Sequence, residues 1–335
     1  MDIIADHFER PIERNIAMEL VRVTEAAALG AARFLGRGDK NLVDQAAVTA
    51  MRYTLGYVRM DGIVVIGEGE KDHAPMLYIG EHIGDGSELK VDIAVDPVDG
   101  TRLVARGLPG AIAVVALSAR GTMHFPRQFY YMKKIATGPE AKDRIDINAS
   151  VEENLNNIAD AKKKRISEVT VVVLDRPRHD ELLEEIRRVG ARIKLITDGD
   201  VAACIEAALP DREVDVLMGI GGTPEGVLSA AAIRCIGGGI QAKAWPRDDS
   251  ERKSCLAAGV DVDRIYKTED LISSDDVFFA ATGVSSGELL KGVRYFGGGA
   301  FTESIEMRGR SGTVRWIDSR HNFEKLDKLS FFEIH

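Results

Sequence analysis

The chain has 335 residues, 45% of them hydrophobic and 29% charged, with a formal net charge of -9. That balance suits an ordinary globular protein of one large domain or two packed lobes. No apolar run approaches the roughly 20 residues of a membrane span, no long basic stripe offers a nucleic acid a track, and the acidic start (Asp2, Asp6, Glu9) lacks the basic-then-apolar order of a secretory leader, so a cytoplasmic protein is expected.

Residues 11–35 read as a helix: Pro11 suits a first turn, and Ile16, Leu20, Val23, Ala27 and Ala31 recur at helical spacing. Gly36-Arg37-Gly38-Asp39 ends it, and a second helix is expected over Val43–Val58. Ile63–Ile66, Val91–Val95 and Ala111–Leu117 read as strands, the first stopping at Gly67-Glu68-Gly69-Glu70 and the second at Asp96-Pro97. The second half alternates: strand Val169–Leu174, helix His179–Val189, strand Ile193–Ile196, helix Val201–Ala208, strand Val214–Met218, helix Glu225–Cys235. Such alternation predicts βαβ units, an α/β class and a largely parallel sheet. Val277–Phe279 and Thr313–Trp316 read as further strands. A lobe boundary falls near Asp143–Ser150. Lys162-Lys163-Lys164-Arg165 reads as a solvated helix end. Cys204, Cys235 and Cys255 form no CxxC pair, and their odd number argues for packed, reduced thiols.

The informative pattern is where carboxylates fall. Glu68 and Glu70 follow one strand directly, Asp96 and Asp99 follow another in Asp96-Pro97-Val98-Asp99-Gly100-Thr101, and Glu225 opens a helix after the turn Gly219–Pro224. Ligands of open α/β sheets sit beyond the carboxyl ends of strands. Carboxylates gathered there repel unless paired, and Mg²⁺ or Mn²⁺, which prefer carboxylate oxygen and water, relieves that repulsion. Thr101 would add a hydroxyl, and the amides of a helix start beside it would favour a phosphate. The competing reading of the Asp-Pro-x-Asp-Gly stretch is a solvent-facing turn, since its residues favour turns; the Gly-Glu-Gly-Glu segment upstream weighs against it.

Asp-Pro-x-Asp-Gly-Thr after a strand, with an upstream strand ending in Gly-Glu, resembles the lithium-sensitive, magnesium-dependent phosphatase superfamily. The finer resemblance is to the class II fructose-1,6-bisphosphatases of bacteria. It runs through Gly36–Asn41 with Asp44, Val65–Glu70, Ala74–Glu81, Asp92–Pro97, Tyr131–Lys134, Arg176–His179, Asp198–Ala202 and Gly219–Gly226, nearly the whole chain. The resemblance implies a layered α/β/α/β/α sandwich of the sugar-phosphatase type in two lobes: an N-terminal metal-binding α/β lobe over 1–145 and a C-terminal α/β lobe with sugar-phosphate contacts over 146–335. It implies metal ligands at Asp44, Glu68, Asp96, Asp99 and Glu225. Sugar-phosphate contacts would fall on Asp99, Gly100, Thr101, Tyr131, Arg176, Pro177, Arg178, Asp198, Gly199, Asp200 and Gly222. Lys40, Asp72 and Thr101 would be the catalytic positions, Mg²⁺ or Mn²⁺ the cofactor, and a dimer or tetramer the assembly. Two departures stand out. Asp99 replaces the family's usual Glu, and the segment after Gly239 is shorter.

The implied reaction is hydrolysis of the 1-phosphate of fructose 1,6-bisphosphate, with Asp72 and Thr101 orienting a water, Lys40 stabilising an oxygen, and Arg176 and Arg178 holding the distant 6-phosphate. Taken singly, these residues say less. Arg176 and Arg178 flanking Pro177 read equally as surface charges, Asp198 and Asp200 as helix caps, Tyr131 as a packed aromatic, and Lys40 carries no specificity. The alternative substrate is sedoheptulose 1,7-bisphosphate alongside fructose 1,6-bisphosphate. Two other classes compete: a non-catalytic sugar-bisphosphate sensor, and a serine hydrolase built on Gly283-Val284-Ser285-Ser286-Gly287 with Asp318 and His321 following in α/β-hydrolase order.

Overall fold

The computed structural model describes residues 16–68, 77–124 and 126–326. Residues 11–15 of the expected first helix, together with Glu70 and Asp72, lie outside them. Helix α1 (Ile16–Ala32) buries the stripe Leu20, Val23, Ala27 and Ala31. Helix α2 (Lys40–Leu55) starts earlier than expected because Asp39 caps it, Oδ1 accepting from the N–H groups of Asn41 (2.9 Å) and Leu42 (3.2 Å). Strands β1 (Asp61–Ile66), β2 (His82–Ile83) and β3 (Lys90–Asp99), the short helix α3 (Thr101–Arg106) and strand β4 (Ile112–Ala119) follow. Next come β5 (Tyr131–Thr137), α4 (Val151–Lys162), β6 (Thr170–Leu174), α5 (Asp180–Val189), β7 (Arg192–Ile196), α6 (Asp200–Ala208), β8 (Val216–Gly222) and α7 (Thr223–Ile236). The remainder is β9 (Gly239–Ala244), α8 (Asp249–Ala257), β10 (Ile265–Lys267), α9 (Thr268–Leu271), β11 (Val277–Gly283), β12 (Arg294–Phe296), β13 (Gly299–Arg308), β14 (Thr313–Asn322) and α10 (Phe323–Leu326).

Two mixed sheets result. One runs β12-β13-β11-β4-β3-β1-β2, with β14 also pairing β13; the other runs β10-β9-β5-β8-β6-β7. The largely parallel sheet expected from the alternation is corrected here. Parallel pairing is confined to β1 with β3 in the first sheet and to β6 with β7 and β8 in the second. The reason is that β5 and β9, outside the alternating stretch, enter the second sheet antiparallel to their neighbours, as do β11, β13 and β14 in the first. The sheets also do not divide at residue 145: β5 precedes that point but belongs to the second sheet, and β11 to β14 return to the first.

Side-chain alternation along the strands stacks the layers. On β4, Ala113, Val115 and Leu117 pack with α1 and α2, whereas Ile112, Val114 and Ala116 face α6 and α7. Those two helices lie between the sheets, closed on the far side by Ala136, Val172 and Leu217. Val171 and Val173 point the other way, onto Leu155 of α4 and Ile186 of α5. The order is α/β/α/β/α, as expected. Covered on both faces, β4 reads as a continuous apolar run instead of an alternating one, and truncating its fully buried Leu117 to Ala would cost about 2–5 kcal/mol. The three cysteines are buried and free. Among the described residues no helix is long and apolar enough to cross a membrane.

Candidate active site

Four segments converge where β1, β3 and β8 end. Asp44 sits in the second turn of α2, Glu68 just beyond β1, Asp96 and Asp99 at the end of β3, and Glu225 in the first turn of α7. Local bonds fix each segment. Thr101 Oγ1 donates to Asp44 Oδ1 (2.7 Å), tying the start of α3 to α2. Val98 N–H donates to Asp96 Oδ1 (3.0 Å), folding the Asp-Pro-Val-Asp bend where the β3 ladder shifts register between Asp96 and Asp99. Val201 N–H donates to Asp99 Oδ2 (3.1 Å), joining this bend to the first turn of α6. The Glu225 carboxylate folds back over Gly222 so closely that a Cβ there would stand 1.8 Å from its Oε2, so any side chain at 222 would displace that carboxylate.

The carboxylates load one another. Burial, then Asp99, Glu68 and Glu225, hold Asp96 well above the ordinary carboxylate range. Burial, then Asp200 and Glu225, do the same to Asp99 against the opposing Val201 bond. Burial raises Asp44, which Thr101 and Lys40 pull back. Burial and Asp200 raise Glu225, which Lys134 pulls back. Glu68 keeps solvent access at the mouth of the cleft, yet the protein packed around it, with Asp44 and Glu225, pushes its carboxyl up to about 7. Glu225 Oε2 is buried with no hydrogen-bond partner among the described residues. Hard oxygen donors that repel one another, one of them unpartnered, match the chemistry Mg²⁺ or Mn²⁺ requires. Among the described residues no group of three or more His, Cys, Asp or Glu side chains is arranged to hold a metal ion, so donor chemistry fits and a coordinating geometry is not preformed.

The expected sugar-phosphate residues flank this cleft. Arg178 donates to Ile220 O from Nη2 (2.8 Å) and lies over the Tyr131 ring, 5.3 Å from its centroid. Arg176 precedes and Arg178 lies within a 3-10 turn, Pro177–His179, which ends at His179. The His179 Nδ1 meets Leu174 O at 2.7 Å and its Nε2 accepts from Ile220 N–H at 2.7 Å, so the ring is neutral and donates from Nδ1. Burial and the two arginines depress its pKa. Asp198 pairs with Arg102 (3.0 Å) and Arg176 (3.5 Å). Asp200, behind Gly199 at the start of α6, pairs with Lys134 (2.6 Å). Neither aspartate side chain caps α6, so the capping reading falls away. Gly100 and Thr101 open α3. Lys40, exposed, is the first residue of α2 and lies near enough to Asp44 to stabilise its charge. Sequence reasoning assigned no role to Lys134, Arg102 or His179. The signal for Lys134 was strand parity: Met132, Lys134 and Ala136 alternate with Lys133 and Ile135, which puts a lysine on a buried face.

The serine-hydrolase context is absent. From Gly283, the last residue of β11, the Gly-Val-Ser-Ser-Gly stretch continues as a loop, without the helix that a nucleophile elbow requires. Ser285 is buried and its Oγ accepts from Ala111 N–H (3.0 Å), Ser286 Oγ accepts from Gly292 N–H (3.1 Å), and His321, on β14, bonds Thr302 Oγ1 (2.8 Å). The basic run at 162–165 does end a helix, but Lys162 and Lys164 turn onto buried Asp215, at 3.5 and 2.7 Å.

An α/β/α/β/α sandwich with carboxylates gathered at strand ends beside guanidinium groups describes a phosphatase. Residues 14–321 match the family described as bacterial fructose-1,6-bisphosphatase, glpX-encoded. The class 2 fructose-1,6-bisphosphatase of Haemophilus influenzae is 47% identical over 331 residues, covering 95% of this chain and 99% of that protein. Fructose-1,6-bisphosphatase 1 class 2 of Escherichia coli K12 is 46% identical over 330 residues, covering 94% and 98%. A solved chain of Pyrococcus furiosus titled as an extragenic suppressor aligns at a TM-score of 0.29 and 16% identity over 58% of this chain and 68% of that one, a likeness too slight to bear on the fold. The chain belongs to the glpX-type, class II fructose-1,6-bisphosphatase family.

Proposed function

We propose that this chain hydrolyses the 1-phosphate of fructose 1,6-bisphosphate, giving fructose 6-phosphate and phosphate in gluconeogenic sugar metabolism, with Mg²⁺ or Mn²⁺ held by Asp44, Glu68, Asp96, Asp99 and Glu225. The observation that carries the reading is the mutual loading of these buried carboxylates, with Glu225 Oε2 left unpartnered. A protein holds such a group either by keeping protons on the carboxyls or by compensating their charge with a cation, and the closely set oxygen donors favour the cation. A divalent cation bound there supplies a more acidic water and takes up charge developing on the phosphoryl oxygens. The chain's residues do the rest. Thr101 gives its proton to Asp44, leaving its lone pairs to accept from the attacking water, which Asp72 also orients. Water oxygen bonds to phosphorus as the bond to the sugar O1 breaks; the water gives up one proton to solvent and O1 takes one from solvent, so the products are the sugar hydroxyl and hydrogen phosphate. Lys40 stands beside Asp44 to neutralise a phosphoryl oxygen.

Arg176 and Arg178 hold the 6-phosphate, their planar forks matching its oxygens. Tyr131, Asp198 and Asp200 take the sugar hydroxyls, while the turns at Gly100, Pro177, Gly199 and Gly222 let the backbone close on them. The test is phosphate release by purified protein after EDTA and again with Mg²⁺ or Mn²⁺ restored, with Asp96→Asn as control. Release that requires metal and vanishes in the variant supports the reading. No release with either metal sinks it, and sedoheptulose 1,7-bisphosphate in a parallel arm tests the wider substrate range.

A further inference from the structure

Lys134 is a buried cation for which the reading above has no use. Its side chain is 1% exposed, as an ion among apolar neighbours rarely is. From β5 the stem crosses beneath the first turn of α7, and the ammonium donates to Asp200 Oδ2 at 2.6 Å and faces Gly222 O at 3.4 Å. It therefore touches both the segment that carries the sugar-side aspartate and the turn that leads to Glu225. The space it occupies is reserved by absent side chains. A Cβ on Gly221 would stand 2.0 Å from Asp200 Oδ2 and 2.8 Å from Lys134 Nζ, and one on Gly226 would press on Met132 and Lys134. Asp200 is itself buried and accepts one hydrogen bond from this ammonium through Oδ2. With one oxygen held, its other oxygen has a set direction.

We infer that Lys134 is a positioning residue for substrate binding: it pins the Asp200 carboxylate and the Gly222 carbonyl, so that the free carboxylate oxygen presents to the sugar hydroxyls. The inference rests on the proposed reaction at this same site. Without the ammonium, buried Asp200 loses its counter-charge and rotates or takes a proton, and the hydroxyl acceptor is lost. The step that breaks the phosphate ester lies at the other end of the substrate, so affinity suffers before turnover does.

The experiment compares wild type, Lys134→Met, Asp200→Asn, their double variant and Gly221→Ala by steady-state phosphate release from fructose 1,6-bisphosphate, with melting curves alongside. Lys134→Met should raise KM at least tenfold and change kcat less than threefold. The double variant, with charge balance restored, should regain melting temperature but not KM, and should be no worse than Asp200→Asn alone. A merely structural ion pair would let KM recover with stability. Gly221→Ala keeps both charges and pushes them apart, so it should reproduce the rise in KM even if Lys134→Met fails to fold. Wild-type activity with Gly221→Ala or Lys134→Met within twofold of its KM overturns the inference. Absence of activity in wild type overturns the proposed reaction instead.

Discussion

Replacing Glu68 by Gln should stabilise the metal-free protein at alkaline pH while removing its activity. Glu68 has its carboxyl raised from 4.5 to about 7 by surrounding protein and by Asp44 and Glu225. An acid whose folded pKa lies above its unfolded value binds more protons folded than unfolded between the two. Stability therefore falls as pH rises through that window, and the penalty is complete above pH 7. The full shift corresponds to about 3 kcal/mol, but Glu68 is solvent-exposed, and screening reduces this to about 1–2 kcal/mol. For 335 residues the unfolding entropy is roughly 0.7 kcal/mol/K, so the expected gain for Glu68→Gln is about 2 °C in melting temperature. The assay is thermal unfolding of both proteins in EDTA at pH 5, 6, 7 and 8. His179, whose pKa is depressed, contributes with the opposite sign below pH 6.5, but both proteins carry it and the difference curve cancels it. The two should melt together at pH 5 and diverge by pH 8. A variant no more stable at pH 8, or equally favoured at pH 5, would refute the claim that this carboxylate is under electrostatic load.

Gly222→Ala would place a methyl 1.8 Å from Glu225 Oε2; activity at fixed metal should drop more than about tenfold and recover partly as metal concentration rises, which a metal titration of the rate will show. Arg178→Lys keeps the charge but loses the fork that bonds Ile220 O and lies over Tyr131; KM should rise about tenfold with kcat within threefold, since roughly 1.4 kcal/mol of uniform binding is removed. Ser285→Ala should keep phosphate release within about threefold of wild type and lower stability by about 1 kcal/mol, measured by urea unfolding, because its Oγ accepts from Ala111 N–H and reaches no catalytic partner among the described residues. Loss of turnover there would revive the serine nucleophile.

The elements that could be read from the sequence were those whose side chains obey one period. Helix α1 and strands β1, β4 and β6 are apolar where they pack; the C-terminal limit of α1 and both limits of the strands lie within a few residues of expectation. Strands β5 and β13 went unread because charges break their pattern. Lys133 and Lys134 interrupt β5, and Glu303 and Glu306 interrupt β13. The buried charges find partners only in three dimensions, Lys134 in Asp200 and Glu306, through Oε2, in Arg315 (2.6 Å), the latter two joined across the β13–β14 ladder. Sheet direction was illegible for the same reason. Alternation over 169–235 does describe β6 to α7, but the strands that turn this into a mixed sheet are those that local periodicity cannot see.

The carboxylates were legible for the opposite reason. They sit at strand ends and helix starts, where backbone geometry changes abruptly and leaves a mark in sequence: Pro and Gly beside Asp, or Gly before a helix that opens with Glu. What the local signal lacked was the cost of bringing them together. Asp96, Asp99 and Glu225 are each pushed up by burial and by neighbouring carboxylates, and Lys134 donates to Asp200 beside them. One buried ammonium beside Asp200 does not balance the carboxylates of Asp99, Asp200 and Glu225 when these are ionised. Under the proposed function a divalent cation would relieve that load, and the unpartnered Glu225 Oε2 would be available to it. On the proposed function, an acidic protein can act on a phosphate ester because bound cations and the Arg176–Arg178 turn would reverse the potential only where the substrate sits.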